Sequence, residues 1–438
     1  MAKKENRHAE HFDKLSASLV SASANIEAPY ELPEGWKWVT IDYCCEKAFS
    51  GKSPKYSKEI TPYKIIGQQA NQRYGIDLTF IKYGTKEFAE AQQDIYYLQY
   101  NDVLLNTLGT GSIGRSGIYK YDEKILTDGH PFVFRTKKKY VADLLFYYLR
   151  LNEQEIINTA NGSTNQKFLS LKTFLKFPIP LPPTLTEQQR IVKRIETMFA
   201  KLDQAQEKAQ TVLDSFETRK AAILHKAFSG QLRIDNEELT IADWEDTTIG
   251  ECCKLGSGGT PSKSHPEYYE NGTIPWLKTG EIDWNDIYDV EERITNAGVE
   301  NSSAKIFPAE SVVVAMYGMG ITRGKAAIIK IPTTTNQAVC VLQPNKKLNN
   351  RFLFYYFMCN YWQVREQSVG GNQLNLSGKI IASFPIKLPP LNYQLSIVNF
   401  LDSILEKESR AKEATKTVLD QIALLKKSIL ARAFRGEL

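Results

Sequence analysis

The sequence runs to 438 residues, with 42% hydrophobic and 24% charged positions and a formal net charge of +5; that length exceeds one hydrophobic core and the composition excludes wholesale disorder. No stretch of about 18 apolar residues is present, so no membrane-spanning helix is expected, and the polar start MAKKENRHAEHFDK lacks the apolar segment of a secretory signal. Six cysteines without a CxxC and five scattered histidines predict reduced thiols in a cytoplasmic protein, without a disulfide framework or metal site.

Residues 1–29 form an N-terminal extension that reads either as a short amphipathic helix, with Phe12, Leu15 and Leu19 at helical spacing ahead of a Ser/Ala-rich link, or as a loose tail. A first domain is expected over 30–183, opened by LPEGW (32–36). Within it DVLLNTL (102–108) and PFVFRT (131–136) read as strands, and DLLFYYLR (143–150) as a helix with a buried face. FPIPLPP (177–183) forces extended chain ahead of a long helix over 184–232. A second domain follows over 233–390, entered through the linker Arg233–Thr240 and the shorter match ADWED (242–246). Its strands are SVVVAMY (311–317) and AVCVLQP (338–344), its aromatic helix RFLFYYFMCN (351–360), and FPIKLPP (384–390) leads into a second long helix over 391–438.

The two long helices are copies. Positions 191–232 and 397–438 share 16 identities in 42, including TVLD and a closing AF-x-G-x-L. Apolar residues keep a 4-3-4-3 rhythm: Ile191, Ile195, Met198, Leu202, Ala205, Ala209, Val212, Phe216 and Ile223 in the first, and Ile397, Leu401, Ile404, Ala411, Thr415, Val418, Ile422, Leu425 and Ile429 in the second. That spacing predicts two struts of about 40 residues pairing as a coiled coil. Short connections make the pair antiparallel, with one globule at each end and a pseudo-two-fold arrangement. The fold class is therefore α+β: two similar globular domains separated by two long antiparallel helices.

Echoes inside the globules extend the duplication. Cys44-Cys45 matches Cys252-Cys253, GKSPK (51–55) matches GGTPSK (258–263), IGRSG (113–117) lies opposite ITRGK (321–325), and Asn165-Gln166 opposite Asn372-Gln373. The paired cysteines read as buried small apolar residues. Charge is unequal: 36–183 holds 20 Lys/Arg against 14 Asp/Glu, a net +6, whereas 233–390 holds 15 against 18, a net −3. The first domain is the more evident polyanion binder.

GTGSIG, with Gly109, Gly111 and Gly114, matches a dinucleotide fingerprint, but Arg115-Ser-Gly-Ile-Tyr does not start a helix. Its counterpart from Gly318 to Ala326 has one residue too many for a phosphate loop and lacks the Ser/Thr that would hold magnesium. Both read as glycine-rich strand connections, either plain turns or places where backbone approaches a ligand, with Arg115, Arg323 and Lys325 at hand for phosphates or guanine edges. Gln68, Gln69, Asn71, Gln72 and Arg73 carry the groups that pair with adenine and guanine in a major groove. Asn165-Gln166 and Asn372-Gln373 read either as a shared turn or as base contacts. Lys52, Lys55 and Lys263, beside Ser/Thr-Pro turns, are candidate phosphate anchors, and Lys278 of IPWLKTGEI (274–282) joins the candidate DNA-binding set. An NPP[YF] adenine-methylation sequence, a Walker A sequence, HExxH and a PD…ExK pair are all missing, so the chain is expected to catalyse nothing on its own.

Taken together, PLPPTLTEQQRIV (180–192), ILHKAFSGQL (223–232), GGTPS (258–262), IPWLKTGEI, TRGKAAI (322–328) and ILARAFRGEL (429–438) closely resemble the DNA-specificity subunit of type I restriction-modification systems. The resemblance covers nearly the whole chain. It departs at Asn392-Tyr-Gln-Leu395, one residue shorter than the first copy. It implies two target-recognition domains, each reading half of an asymmetric bipartite DNA site, with helices that space them and dock two methylation subunits. S-adenosylmethionine would then belong to those subunits, and ATP, Mg and the nuclease to restriction subunits, with no cofactor on this chain. The alternative is an assembly scaffold that binds no DNA, or an inactive specificity paralogue, which the net −3 of the second domain favours.

Overall fold

Val103, Leu104 and Leu105 are all fully buried although neighbouring side chains of a strand point to opposite faces. The sheet they belong to is therefore covered on both sides, the situation that calls for unbroken apolar runs rather than alternation. The computed structural model describes residues 29–438 apart from 74, 110, 163–166, 233–240, 319 and 370–374. The expected helix around Phe12, the linker 233–240 and the pairs Asn165-Gln166 and Asn372-Gln373 lie outside the described residues. The chain divides into two units: Met1–Lys208 with Val418–Leu438, and Ala209–Thr417.

The first unit contains β1 (Lys37–Thr40), β2 (Cys45–Ser50), β3 (Val103–Asn106), β4 (Ser116–Ile118), β5 (Pro131–Thr136), helices α1 (Lys139–Leu151) and α2 (Glu153–Asn158), β6 (Pro178–Leu181) and the start of the long helix α3 (Leu185–Phe228). Strands β2-β5-β3-β4 form an antiparallel sheet, and β1 pairs with β6. On one face Val103, Leu105, Phe132 and Phe134 meet Leu144, Leu145 and Tyr148 of α1 together with Ile191 and Ile195 of α3. On the other, Leu104 and Val133 meet Ile66, Ile76 and Tyr119. Phe434, from the far end of the chain, completes the first of these cores.

The second unit repeats the plan with β7 (Glu245–Thr248), β8 (Cys253–Ser257), β9 (Asp286–Ile287), β10 (Val312–Ala315), β11 (Ala326–Ile329), β12 (Val339–Pro344), α4 (Asn350–Cys359), α5 (Tyr361–Glu366), β13 (Pro385–Leu388) and the start of α6 (Leu391–Phe434). Its sheet runs β8-β12-β10-β11-β9, with β9 the only parallel neighbour in that sheet, and β7 pairs with β13. Each expected strand and aromatic helix falls on an observed one. The paired cysteines close a short helix and open the first strand of each sheet, where burial pushes the Cys44 and Cys253 thiols up to about 12.

Both α3 and α6 are 44 residues long, ~66 Å at 1.5 Å per residue. Their segments lie antiparallel within each unit. In the second, Glu217 pairs with Lys412 at 2.7 Å and Arg219 with Glu408 at 2.8 Å. In the first, Asp203 pairs with Lys426 at 2.5 Å. Ile191, Ile195, Ile397, Leu401 and Ile422 are buried as the heptad rhythm predicts, but Val212, Val418 and Leu425 are exposed. The inward position is the next residue in each case: Leu213, Leu419 and Lys426 are half-buried, so the covered stripe departs from the expected one by a single residue at these positions.

The closing AF-x-G-x-L of each helix has a structural explanation. Ala227 and Ala433 are fully buried, and Gly230 and Gly436 adopt φ of +68° and +73°, the left-handed conformation that ends a helix. A Cβ on Gly436 would strike Pro33, and one on Gly230 would lie 2.8 Å from the Ile241 backbone N.

The helix starts also match despite the missing residue. Gln188 Nε2 donates to Pro182 O at 3.0 Å, and Gln394 Nε2 donates to Pro389 O at 2.9 Å. The deletion is thus absorbed between prolines and helix. Gln394 does more: it also donates to Lys347 O at 2.8 Å and accepts from Asn349 N at 2.9 Å, whereas Gln188 Oε1 is buried without a partner. Replacing Gln394 by Leu strands one buried and two part-buried groups, so we expect the second unit to lose about 2–4 kcal/mol, against about 1 kcal/mol for Gln188→Leu in the first. Urea unfolding of both variants checks this, and equal losses would mean that the extra bonds add nothing.

Candidate nucleic-acid interface

In the first unit the glycine-rich segment joins β3 to β4. Asn106 N donates to Arg115 O and Gly114 N to Asn106 O, both at 2.9 Å, and Gly109 and Gly114 have φ of +90° and +81°. Arg115 holds the loop from inside: Nη2 donates to Gly111 O at 2.8 Å, and Nη1 to Gln72 Oε1 at 3.1 Å and Asn71 O at 3.3 Å. The amide stretch 68–73 therefore wraps this loop. Asn106 Nδ2 donates to Gln68 O at 3.0 Å, and Gln72 Nε2 to Gln69 O at 2.6 Å. Arg73 reaches Glu153 of α2 at 2.9 Å.

Asn71 departs from its expected role. It is 1% exposed, and its Nδ2 donates to Asn106 Oδ1 and Arg115 O, both at 3.0 Å. Its amide is committed to the loop's foundation rather than offered to a base edge. Gly117 is required beside it, because a Cβ there would strike Asn71 Oδ1.

The second unit builds the same loop between β10 and β11. Ala315 N donates to Lys325 O at 3.0 Å, Gly324 N to Ala315 O at 2.8 Å, and Lys325 N to Thr322 O at 3.0 Å, matching Arg115 N to Ser112 O at 3.2 Å. Gly324, with φ of +87°, is the counterpart of Gly114. The basic residue after each glycine is thus Arg115 in one unit and Lys325 in the other, which corrects the sequence pairing of Arg115 with Arg323; Arg323 stands opposite Ile113. Three matching backbone hydrogen bonds fix the structural register, whereas the letter match follows an arginine shared by coincidence.

Lys325 is 8% exposed and paired with Asp283, so it too is a foundation. Lys220 of α3 lies in the same electrostatic neighbourhood, with Glu217, Lys412, Asp283 and Lys325, and burial lowers its pKa. Neither glycine-rich loop opens a helix; each leads into a strand, which removes the nucleotide-binding reading of GTGSIG and its counterpart.

Lys52 and Lys55 follow Gly51, and Lys263 lies in the matching segment after Gly258. A Cβ on either glycine would collide with a carbonyl, of Thr127 in the first unit and of Thr335 in the second. That backbone crossing explains why GKSPK and GGTPSK share their glycine. Lys52 Nζ stands 5.5 Å from the Tyr96 ring centroid. Lys278 is half-buried and paired with Glu292 at 2.6 Å, which raises its pKa. Among the candidates, Lys52, Lys55, Gln69, Arg73 and Lys263 are exposed, while Gln68, Gln72, Arg115, Lys278 and Arg323 are half-buried. Among the described residues no cluster of three or more His, Cys, Asp or Glu side chains could hold a metal ion, and no helix is long and apolar enough to cross a membrane.

Two stretches, 33–213 and 241–421, match the profile of the type I restriction modification DNA specificity domain. The chain belongs to that family. A relative within this specificity family, the type I restriction enzyme EcoR124I/EcoR124II specificity subunit of Escherichia coli, is 27% identical over 271 residues, 61% of this chain and 63% of that relative. The EcoKI specificity subunit of the same species is 23% identical over 437 residues, 93% of this chain and 90% of its own length. Two solved structures share the fold. One, from work on complex assembly and conformational transition of the type I R-M system, has a TM-score of 0.72 at 19% identity, covering 94% of this chain and all of the other. The HsdS subunit from Thermoanaerobacter tengcongensis has a TM-score of 0.60 at 20% identity, with the same coverage.

Residues that sequence reasoning passed over cap the two loops of this specificity chain. Asn152 and Asn360 are equivalent, their Nδ2 atoms donating to Tyr148 O at 2.8 Å and Tyr356 O at 2.9 Å. From that anchor, Glu153 and Ile157 of α2 correspond to Tyr361 and Arg365 of α5. Ile157 Cγ1 would lie 3.1 Å from a Cβ on Gly114, and Arg365 Cγ 3.0 Å from one on Gly324. Arg365 Nη2 donates to Gly320 O at 2.8 Å and Nη1 to Arg323 O at 2.5 Å, while Tyr361 Oη donates to Ile321 O. The recurring Asn four residues after a Tyr was the available signal.

Proposed function

We propose that this specificity chain reads an asymmetric, two-part DNA site, one half per unit, and is itself non-catalytic. The observation that carries this reading is the doubled specificity domain, whose loops keep one backbone frame while carrying different side chains. An asymmetric site asks for that combination. Lys52, Lys55, Gln69, Arg73 and Lys263 are the exposed groups we assign to phosphates and base edges; Gln68, Gln72, Arg115, Lys278 and Arg323 shape the loops and edge the same surface.

Two methylation subunits dock on the long helices, where Leu424, Leu425 and Val418 leave apolar surface in water. They bring S-adenosylmethionine, and restriction subunits bring ATP, Mg and the nuclease. The assembly works on duplex DNA in the cytoplasm. Replacing residues 36–176 by the first domain of another family member, in complex with methylation subunits, is expected to change one half of the methylated site and leave the other intact. Mapping methylated positions across a genome reads this out, and alteration of both halves would sink the assignment of one half per unit.

A further inference from the structure

The two loops differ most where they are most firmly held. Gly111 O, fixed by Arg115, occupies the place of Ile321 O, fixed by Tyr361. One helix further on, Gln154 occupies the place of Trp362, since Ile156 and Val364 are the buried residues two positions later in each. The first unit thus presents Gly111 and Gln154 where the second presents Ile321 and Trp362, which are 64% and 65% exposed.

Nothing in the shared frame needs a large apolar pair there, because the first unit builds the same loop without one. The pair is also held in place. Arg365 bonds Gly320 O and Arg323 O, its guanidinium carbon lies 5.2 Å from the Tyr361 ring and 5.7 Å from that of Trp362, and Tyr361 packs on Trp284 at 5.5 Å. Exposed side chains on an anchored platform lose little freedom when a ligand arrives.

We propose that Ile321 and Trp362 determine the base preference of the second unit by apolar contact with a pyrimidine 5-methyl group in the major groove, whereas the first unit reads at the same place with polar groups. This rests on the DNA-reading function proposed above. The thymine methyl is the apolar feature of a base edge, and aliphatic and aromatic side chains are the groups that recognise it. A net charge of −3 over 233–390 fits a unit that discriminates by apolar contact more than by phosphate attraction.

The test uses the full chain complexed with methylation subunits, on duplexes carrying its mapped site, with uracil replacing thymine position by position. For the wild-type complex, uracil at one or more positions of the second half is expected to weaken binding about 3–10-fold. Trp362→Gln with Ile321→Ser should abolish that sensitivity, leave the first half's preference unchanged, and leave thermal unfolding unchanged because both side chains are exposed. Three results would overturn the inference: a second half indifferent to the 5-methyl group, variants that keep the wild-type preference, or variants that lose the methylation subunit while their base preference persists. A wild-type complex that binds all duplexes alike would instead remove the underlying DNA-reading function.

Discussion

Phe434→Ala is expected to lower the stability of the first unit by about 3–5 kcal/mol, although the residue lies more than 200 positions beyond Lys208, where that unit's leading segment ends. Its ring is fully buried, edge-on to Tyr148 at 5.0 Å, and its carbonyl accepts from Tyr30 Oη at 3.1 Å. Removing the ring leaves a cavity against Tyr148 in a sheet-and-helix core. The counterpart Phe228 is only partly buried, 5.0 Å from Phe352 and 5.8 Å from Tyr356, so Phe228→Ala should cost the second unit less, about 1–3 kcal/mol. Hydrogen exchange resolved by peptide separates the units. In Phe434→Ala the amides of β3 and β5 should lose protection while those of β10 and β12 keep theirs. Loss of protection in both sheets would show that Phe434 acts on more than the unit it fills.

The second large effect concerns a buried ion pair in the same unit. Arg135 Nη2 and Nε hold Asp102 at 2.8 and 3.0 Å, and Nη2 also donates to Tyr97 O at 2.9 Å; the carboxylate side chain is 1% exposed. Arg135→Met keeps much of the stem but leaves a charge buried alone, expected to cost about 3–5 kcal/mol at neutral pH. The sign of its pH dependence follows from Asp102. Burial pushes this carboxyl above the usual carboxylate range, and Arg135 and the Gln99 N–H pull it part of the way back. A carboxyl raised in the folded state favours folding when protonated, and that contribution is lost as pH rises through its folded value. Without Arg135 the rise is larger, so the deficit of Arg135→Met should be smaller at pH 5 than at pH 8. Urea midpoints at both values measure it, and an equal or larger deficit at pH 5 would mean that the stranded charge is not the cause.

Much of the frame was readable because it depends on local pattern. The run around Val103 and the aromatic helix at 351–360 announce themselves, and helix copies sharing AF-x-G-x-L can be aligned by eye. The loops were less readable because their chemistry is non-local. Asn71 looks like a surface amide until Asn106, 35 residues away, accepts its side-chain N–H. Lys325 looks like a phosphate ligand until Asp283 is placed against it. The arginines at 115 and 323 align as letters, yet the glycines with positive φ set the true register two residues along. Heptad rhythm marked Leu425 as an inward position, but the residue that faces the other helix is the next one, Lys426, which reaches Asp203. The exposure of Trp362 depends on the turn at Asn360, which ends one helix and starts the next.

That the first unit's core contains Phe434 also fixes an order of events during synthesis. A leading domain ordinarily folds while the remainder is still being made. Here the chain from Ala209 to Thr417, which is the whole second unit, must leave the ribosome before the last turn of α6 can enter the first. At roughly 5–20 residues per second that wait lasts about 10–40 s. The second unit, contiguous in the chain, can finish first. For that interval the incomplete first unit keeps the apolar socket beside Tyr148 open to solvent, which makes it the natural place for a chaperone to hold the nascent chain.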